Sequence, residues 1–310
     1  MPKTNINKFA AFVIFAGICL IQGCGRFSSR GAAVDDGPYR PHEISGRLQS
    51  PDLREASGIA ASKCQADVYW THNDSGDKSL IYAIDSKGSH LGVWNVPDAA
   101  NRDWEDVATV KTDGKCYVLI GEIGDNELQH KRLAVYRVEE PAVTENGRTS
   151  TGKDPLQTAA MSVSYANYPN EKHDAEALLA HPSNDEVYIV TKSKKEPSHV
   201  YKFKPRFEGE EMTMQKVADL TVPAIPNGSI TGGDISPDGK RVILCDYFSG
   251  YELTLPEAGS FDAIWKQRPT RVELGERAIG EAVAYSADGS FVIAVSEKRN
   301  TSVNIARRKN

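Results

Sequence analysis

The sequence predicts an all-β fold, a five-bladed propeller, and three observations point to it. First, no long segment of the 310 residues keeps an apolar period of 3.6, so helix signals are nearly absent. Second, short β-rich runs are separated by Gly, Asp, Asn and Pro, the pattern of a sandwich, barrel or propeller. Third, one motif repeats along the chain at roughly the 40–50-residue spacing of propeller blades. Each copy opens with a small or acidic residue and an aliphatic partner, and a second strand follows about ten residues later.

The copies are Ser57-Gly58-Ile59-Ala60 with Val68-Tyr69-Trp70, Glu105-Asp106-Val107-Ala108 with Cys116-Tyr117-Val118, and Glu176-Ala177-Leu178-Leu179 with Val187-Tyr188-Ile189. Gly233-Asp234-Ile235-Ser236 with Val242-Ile243-Leu244, and Glu281-Ala282-Val283-Ala284 with Phe291-Val292-Ile293, complete the series. The longest step, from Glu105 to Glu176, contains a polar insertion at 140–157, expected as a loop between the third and fourth strands of blade two. Third strands follow in register at 80–84, 133–138, 199–203, 251–255 and 302–305. Fourth strands are visible at 91–96, 161–165, 214–220 and 270–274. The fifth copy runs out of chain after its third strand. The segment 42–48 is the free candidate to complete it, closing the ring and removing an open edge. A sixth blade hidden by divergence is the alternative.

Ahead of the repeat, Lys3 and Lys8 precede an apolar run at 9–21, shorter than the roughly 20 residues needed to span a bilayer and suited to a secretory signal. It ends in Ile21-Gln22-Gly23-Cys24, which resembles a bacterial lipobox. The resemblance implies cleavage before Cys24 and acylation of that residue, including a thiol-linked lipid and an amide-linked one such as palmitate. An ordinary secretory signal with a chance cysteine is the competing reading. Residue 25 is Gly rather than Asp, which resembles sorting to the periplasmic face of the outer membrane in a Gram-negative cell, or retention on the outer face of the plasma membrane in a Gram-positive one. The organisation expected is signal 1–23, lipidated Cys24 and flexible tether 24–40, and one propeller domain 41–310.

The formal net charge is −5, and removal of 1–23 takes away two lysines and no acid. The one basic block is Arg307-Arg308-Lys309, so composition argues against nucleic acid as a partner. In an oxidising compartment Cys64, Cys116 and Cys245 remain. Cys64 and Cys116 fall in neighbouring blades on one face, where a disulfide can form, and Cys245 sits in an apolar strand as a buried thiol. Trp70 and Trp104 are expected to pack between blades.

In a propeller the first strand of each blade lines the central channel, and antiparallel order puts its start beside the end of the second strand. Glu105, Glu176 and Glu281 therefore converge at one mouth, with Ser57 and Gly233 at the equivalent positions. Three convergent carboxylates require a cation, bound protons or basic partners. Ca²⁺ suits irregular shells of hard oxygen donors, with Ser57 as a further ligand. Against this stands a plain polar channel in which each Glu hydrogen-bonds the next blade's backbone or water. The same mouth receives Asp74, Asp125, Asn126, Lys192 and Asp246 from second-strand ends, with Arg132 and His173 nearby. Asp74 and Asp125 are candidate general bases and also read as turn caps. His173 is the best-placed histidine. Lys192, Arg132, Asp246 and Asn126 are candidates for holding a small anionic ligand.

Ala56-Ser57-Gly58-Ile59, Asn73-Asp74-Ser75-Gly76-Asp77, Asp103-Trp104-Glu105-Asp106-Val107 and Gly121-Glu122-Ile123-Gly124-Asp125-Asn126 are similar to a group of uncharacterised bacterial secreted propellers. Those carry SGI, NDSGD, DWEDI and GDIGDN in that order; Glu122 stands where the group has Asp. The resemblance implies fold and compartment, with no activity. More distantly, the strand-opening Glu with an aliphatic partner is similar to calcium-activated nucleotidases and to phytase-like and esterase-like propellers. That likeness implies Glu105, Glu176 and Glu281 as metal ligands, while Ser57 and Gly233 depart from an all-acidic ring. No G-x-S-x-G and no P-loop is present. Two functions are thus expected: an envelope lipoprotein that binds a ligand or protein partner, or a Ca²⁺-dependent hydrolase of phosphoesters or related esters.

Overall fold

A computed structural model describes residues 37–193, 197–220 and 229–309. The signal segment, Cys24 and most of the tether lie outside the described residues, so the lipobox reading has no structural counterpart here. Five small, mainly antiparallel sheets follow one another as the blades of a ring. Strand β1 (Glu43–Arg47) precedes blade one, which comprises β2 (Ala56–Ala61), β3 (Tyr69–Asn73), β4 (Leu80–Ile84) and β5 (His90–Asn95). Blade two has β6 (Trp104–Thr112), β7 (Lys115–Glu122) and β8 (Leu133–Glu139), then, after the short β9 (Leu156–Gln157), β10 (Ser162–Asn167). Blade three has β11 (Ala175–Ala180), β12 (Val187–Thr191) and β13 (Ser198–Phe203), then, after β14 (Glu211–Thr213), β15 (Gln215–Leu220). Blade four is β16 (Gly232–Ile235), β17 (Arg241–Cys245), β18 (Gly250–Thr254) and β19 (Thr270–Val272). Blade five is β20 (Gly280–Tyr285), β21 (Phe291–Ser296) and β22 (Ser302–Arg307), completed by β1.

The expected closure is observed: β1 pairs antiparallel with β22, Glu43 opposite Ile305 and Arg47 opposite Ser302. Each inner strand is sandwiched between its own blade and the next, so β2, β11 and β20 are buried at every position and lack the alternation of a half-exposed strand. The cores are wedges between blades. Ile59, Leu80, Ile84 and Val93 meet Ala282, Ile293 and Val303 across blades one and five. Trp70, Trp94 and Trp104 join Val107, Ile120 and Tyr136 across blades one and two, with Trp70 edge-on to Trp94 at 5.2 Å. The tryptophans thus pack between blades, as expected.

The insertion does lie between β8 and β10, but it is more than a loop. It holds a 3-10 turn at Glu145–Thr149, and β9 pairs parallel with β5 to extend blade one. Gly152 N–H donates to Asp52 Oδ2 at 2.8 Å, and Lys78 Nζ donates to the Gly152 carbonyl at 2.9 Å. Cys64 and Cys116 form a disulfide that ties blade one to blade two on the face away from the mouth. Cys245 is a free, fully buried thiol.

Candidate functional site

The inner strands do not start regularly. In β6 the pairing with β7 skips Glu105, in β11 the pairing with β12 skips Glu176, and in β20 the pairing with β21 skips Glu281. Each of the three glutamates is therefore the extra residue of a β-bulge, a device that re-aims one side chain and recurs beside functional sites. Blade one has the same irregularity around Ser57, whereas β16 pairs regularly through Gly233. Blade four thus lacks both the carboxylate and the bulge.

Two carboxylate triads result, and Glu105 belongs to both. Single oxygens of Asp74, Asp103 and Glu105 lie within 4.8 Å of one another, as do those of Glu105, Asp174 and Glu176. Asp-x-Glu recurs at Asp103-Trp104-Glu105 and Asp174-Ala175-Glu176; residues two apart on an extended strand share a side, and the pattern delivers paired acids. Buried acidic clusters of this kind could hold a metal ion, and the donors are all hard oxygens. Glu105 is only 3% exposed, and no described residue donates a hydrogen bond to its carboxylate.

The electrostatics follow from burial. Desolvation lifts the Glu105 carboxyl well above its usual range, helped by the charges of Glu176, Asp74 and Asp103. Burial likewise pushes Asp103 up to about 6, with Asp74 and Asp174 adding to it. Glu176 is pushed up to about 7 by burial, against the pull of Lys192. Lys192 Nζ contacts Glu176 Oε1 and lies over the Tyr247 ring. Burial works against its charge, but Glu176 outweighs that and holds the ammonium above its ordinary value.

Glu281 departs from the expected metal set. It belongs to neither triad and shares a hydrogen bond with Glu297; burial, then the charges of Glu176 and Glu297, push it up to about 9. Ser57 departs too: its hydroxyl donates to the Glu105 backbone carbonyl at 2.7 Å and links blades one and two. Inter-blade hydrogen bonding is made by residues beside these openers, Asp106 and Asp234. Asp106 Oδ1 accepts from Val107 N–H at 2.8 Å and Oδ2 from Leu178 N–H at 2.9 Å, in blade three. Asp234 repeats the device, with Ile235 N–H at 2.8 Å and Tyr285 N–H at 2.9 Å, in blade five.

Other candidates hold structural positions. Asp125 is buried, and its two oxygens accept Gln129 N–H at 2.6 Å and His130 N–H at 2.9 Å, so it caps a turn rather than waiting as a base. Its own N–H donates to Asp174 Oδ1 at 2.8 Å, which positions one triad member. Asp246 is likewise consumed by Phe248 N–H, Ser249 N–H and Tyr251 Oη. Arg132 turns outward, stacked 3.5 Å over the Tyr165 ring and 3.4 Å from Glu211, on the outer edge of blade two. His173 shares a hydrogen bond with Tyr201 Oη at 2.9 Å and packs edge-on against Tyr168 and His199 in an aromatic cluster of blade three. Asn126 is exposed on the loop beside Asp125. Asp74 and Lys192 are the candidates that join the acids at the mouth. Asp103 and Asp174 stand outside the ligand set that the repeat predicts, although Asp-x-Glu marks both.

No protein-family model matches this chain, and no curated protein matches it in sequence.

Proposed function

We propose that this chain is a cell-envelope lipoprotein, anchored to a membrane through Cys24, whose propeller is a binding domain organised by Ca²⁺ at its acidic mouth. The carrying observation is Glu105, a buried carboxylate with no hydrogen-bond donor among the described residues, set between two pairs of acids. A carboxylate removed from water needs a proton or a cation, and the surrounding oxygens supply an irregular shell that Ca²⁺ accepts more readily than octahedral Mg²⁺ does. A cation held by these carboxylates would offset their charge and supply a Lewis-acidic centre for oxygens of an envelope ligand or protein partner. The lipobox-like Ile21-Gln22-Gly23-Cys24 supports the anchor.

A second reading, Ca²⁺-dependent hydrolysis of phosphoesters or related esters, is favoured by Lys192 beside the acids. In that reading a cation held by Asp74, Asp103, Glu105, Asp174 and Glu176 would supply Lewis-acid polarisation, Asp74 would accept a proton, and Lys192 would hold the anionic group. Fold does not choose between the two, since propellers host both.

The test is the thermal midpoint of the full chain in excess Ca²⁺ and in chelator. A site that binds only the folded state adds about 2.7 kcal/mol at a hundredfold excess over Kd. A rise of several degrees, lost in Glu105→Gln, is expected; an unchanged midpoint overturns the cation site. Phosphate release from a panel of phosphoesters, dependent on Ca²⁺ and Glu105, would move the assignment to the hydrolase. Cys24→Ser is expected to free the protein from membranes, and continued membrane association counts against the anchor.

A further inference from the structure

The mouth face carries a second charged feature, of opposite sign. A groove of about 750 Å³ is lined by Arg47, Phe248, Glu276, Arg277, Lys298 and Arg299 among other residues. These come from the end of β1 and from the loops before β18, β20 and β22, so the groove lies between blades four and five. Four cations stand there against the single carboxylate of Glu276.

Arg277 sets this groove apart from an ordinary basic surface. It is 6% exposed, and its Nη2 donates to the Asp246 carbonyl at 3.1 Å. Its Nε and Nη1 have no hydrogen-bond partner among the described residues. The guanidinium lies on Gly280, where a Cβ would stand 2.4 Å from Cζ, so the chain leaves room for it. Among the described residues Arg277 forms no ion pair: the oxygens of the nearby Asp246 carboxylate are engaged by Phe248 N–H, Ser249 N–H and Tyr251 Oη, and burial pushes the adjacent Cys245 thiol up to about 11, leaving it neutral. A desolvated guanidinium with two unused donors is costly unless an anion completes it. The planar fork matches tetrahedral oxyanions, which can take two parallel hydrogen bonds.

We propose that this groove binds a phosphoryl or sulfuryl group of a larger ligand. Arg277 provides the buried anchor, Lys298 and Arg299 the exposed rim, and Phe248, 58% exposed, an apolar wall for the ligand's organic part. The excess of cations selects a multiply charged group over a lone carboxylate. The site does not depend on the Ca²⁺ reading, because none of its cations belongs to the acidic triads.

The experiment is calorimetric titration of the full chain with pyrophosphate, after protein and buffer have been stripped of metal on a chelating resin. Saturable binding that weakens with added salt is expected. The double variant Lys298→Ala, Arg299→Ala, which alters exposed side chains alone, should weaken it about tenfold or more, and Arg277→Gln should abolish it. Glu105→Gln should leave it intact, which separates this site from the cation at the mouth. Absence of binding at millimolar pyrophosphate, or an affinity unchanged in the double variant, overturns the proposal.

Discussion

Gly124 lies directly against the carboxylate of Glu105: a Cβ added to it would stand 2.2 Å from Oε1 and 2.5 Å from Asp103 Oδ2. Both crowded atoms are side-chain ends, so a methyl group would displace the acids rather than the backbone. Gly124→Ala is therefore expected to weaken Ca²⁺ binding about tenfold or more while leaving the metal-free thermal midpoint nearly unchanged. Calorimetric titration of Ca²⁺ into the variant checks this, and wild-type affinity would show that Glu105 and Asp103 do not hold the ion.

The pH dependence of stability runs opposite to that of a protein held by salt-bridged acids. Folded Glu281 keeps its proton up to about 9, against an ordinary value of 4.5, and folded Asp234 keeps its own up to about 6, against 3.8; burial is the main cause in both. Between those limits the folded state binds protons that the unfolded state has released, so stability falls as pH rises. The Asp234 contribution is lost by about pH 6 and that of Glu281 by about pH 9. The metal-free midpoint should thus decline from mildly acid to alkaline buffer, and Glu281→Gln should flatten the alkaline part of the decline. A scanning-calorimetry series decides it; a midpoint that rises over the same range would contradict the protonated state of Glu281.

Asp246 and Asp125 are expected to matter for stability first. Asp246→Ala strands two backbone N–H groups and the Tyr251 hydroxyl, at a cost of about 2–3 kcal/mol. Asp125→Ala strands the Gln129 and His130 amides, at a cost of about 1–3 kcal/mol. Urea unfolding measures both, with Asp74→Asn as the contrasting case that should lower Ca²⁺ affinity with little loss of stability.

Much of the fold was legible because each blade starts with the same few residues. A small or acidic opener followed by aliphatics marks a strand buried on both faces, and five such openers left 42–48 as the strand needed to close the ring. The site was legible in part. That Glu105 and Glu176 meet follows from their places in the repeat. That Glu281 stands apart with Glu297, and that Asp103 and Asp174 join the triads, depends on bulges that the linear pattern does not display. An Asp in a Gly- and Asn-rich loop can cap a turn or face a ligand, and only the position of nearby amides decided for Asp125 and Asp246. Arg132 follows a mouth loop in sequence, yet Tyr165 and Glu211 draw its side chain to the outer edge. Arg277 stands outside the repeat, and its burial arises from the space over Gly280 in the next strand.

The seam between β1 and β22 also governs when this domain can become whole. Glu43 must wait for Ile305, which already pairs with Ile293 on its other side, before β1 finds its place. During synthesis blades can form one after another, while the earliest strand stays unsatisfied until the last has emerged. Contacts between such distant stretches slow folding and leave an unpaired edge in the interim. Closure is accordingly the step at which a nascent chain is most exposed to mispairing with a neighbour, and one severed seam would undo the whole circle.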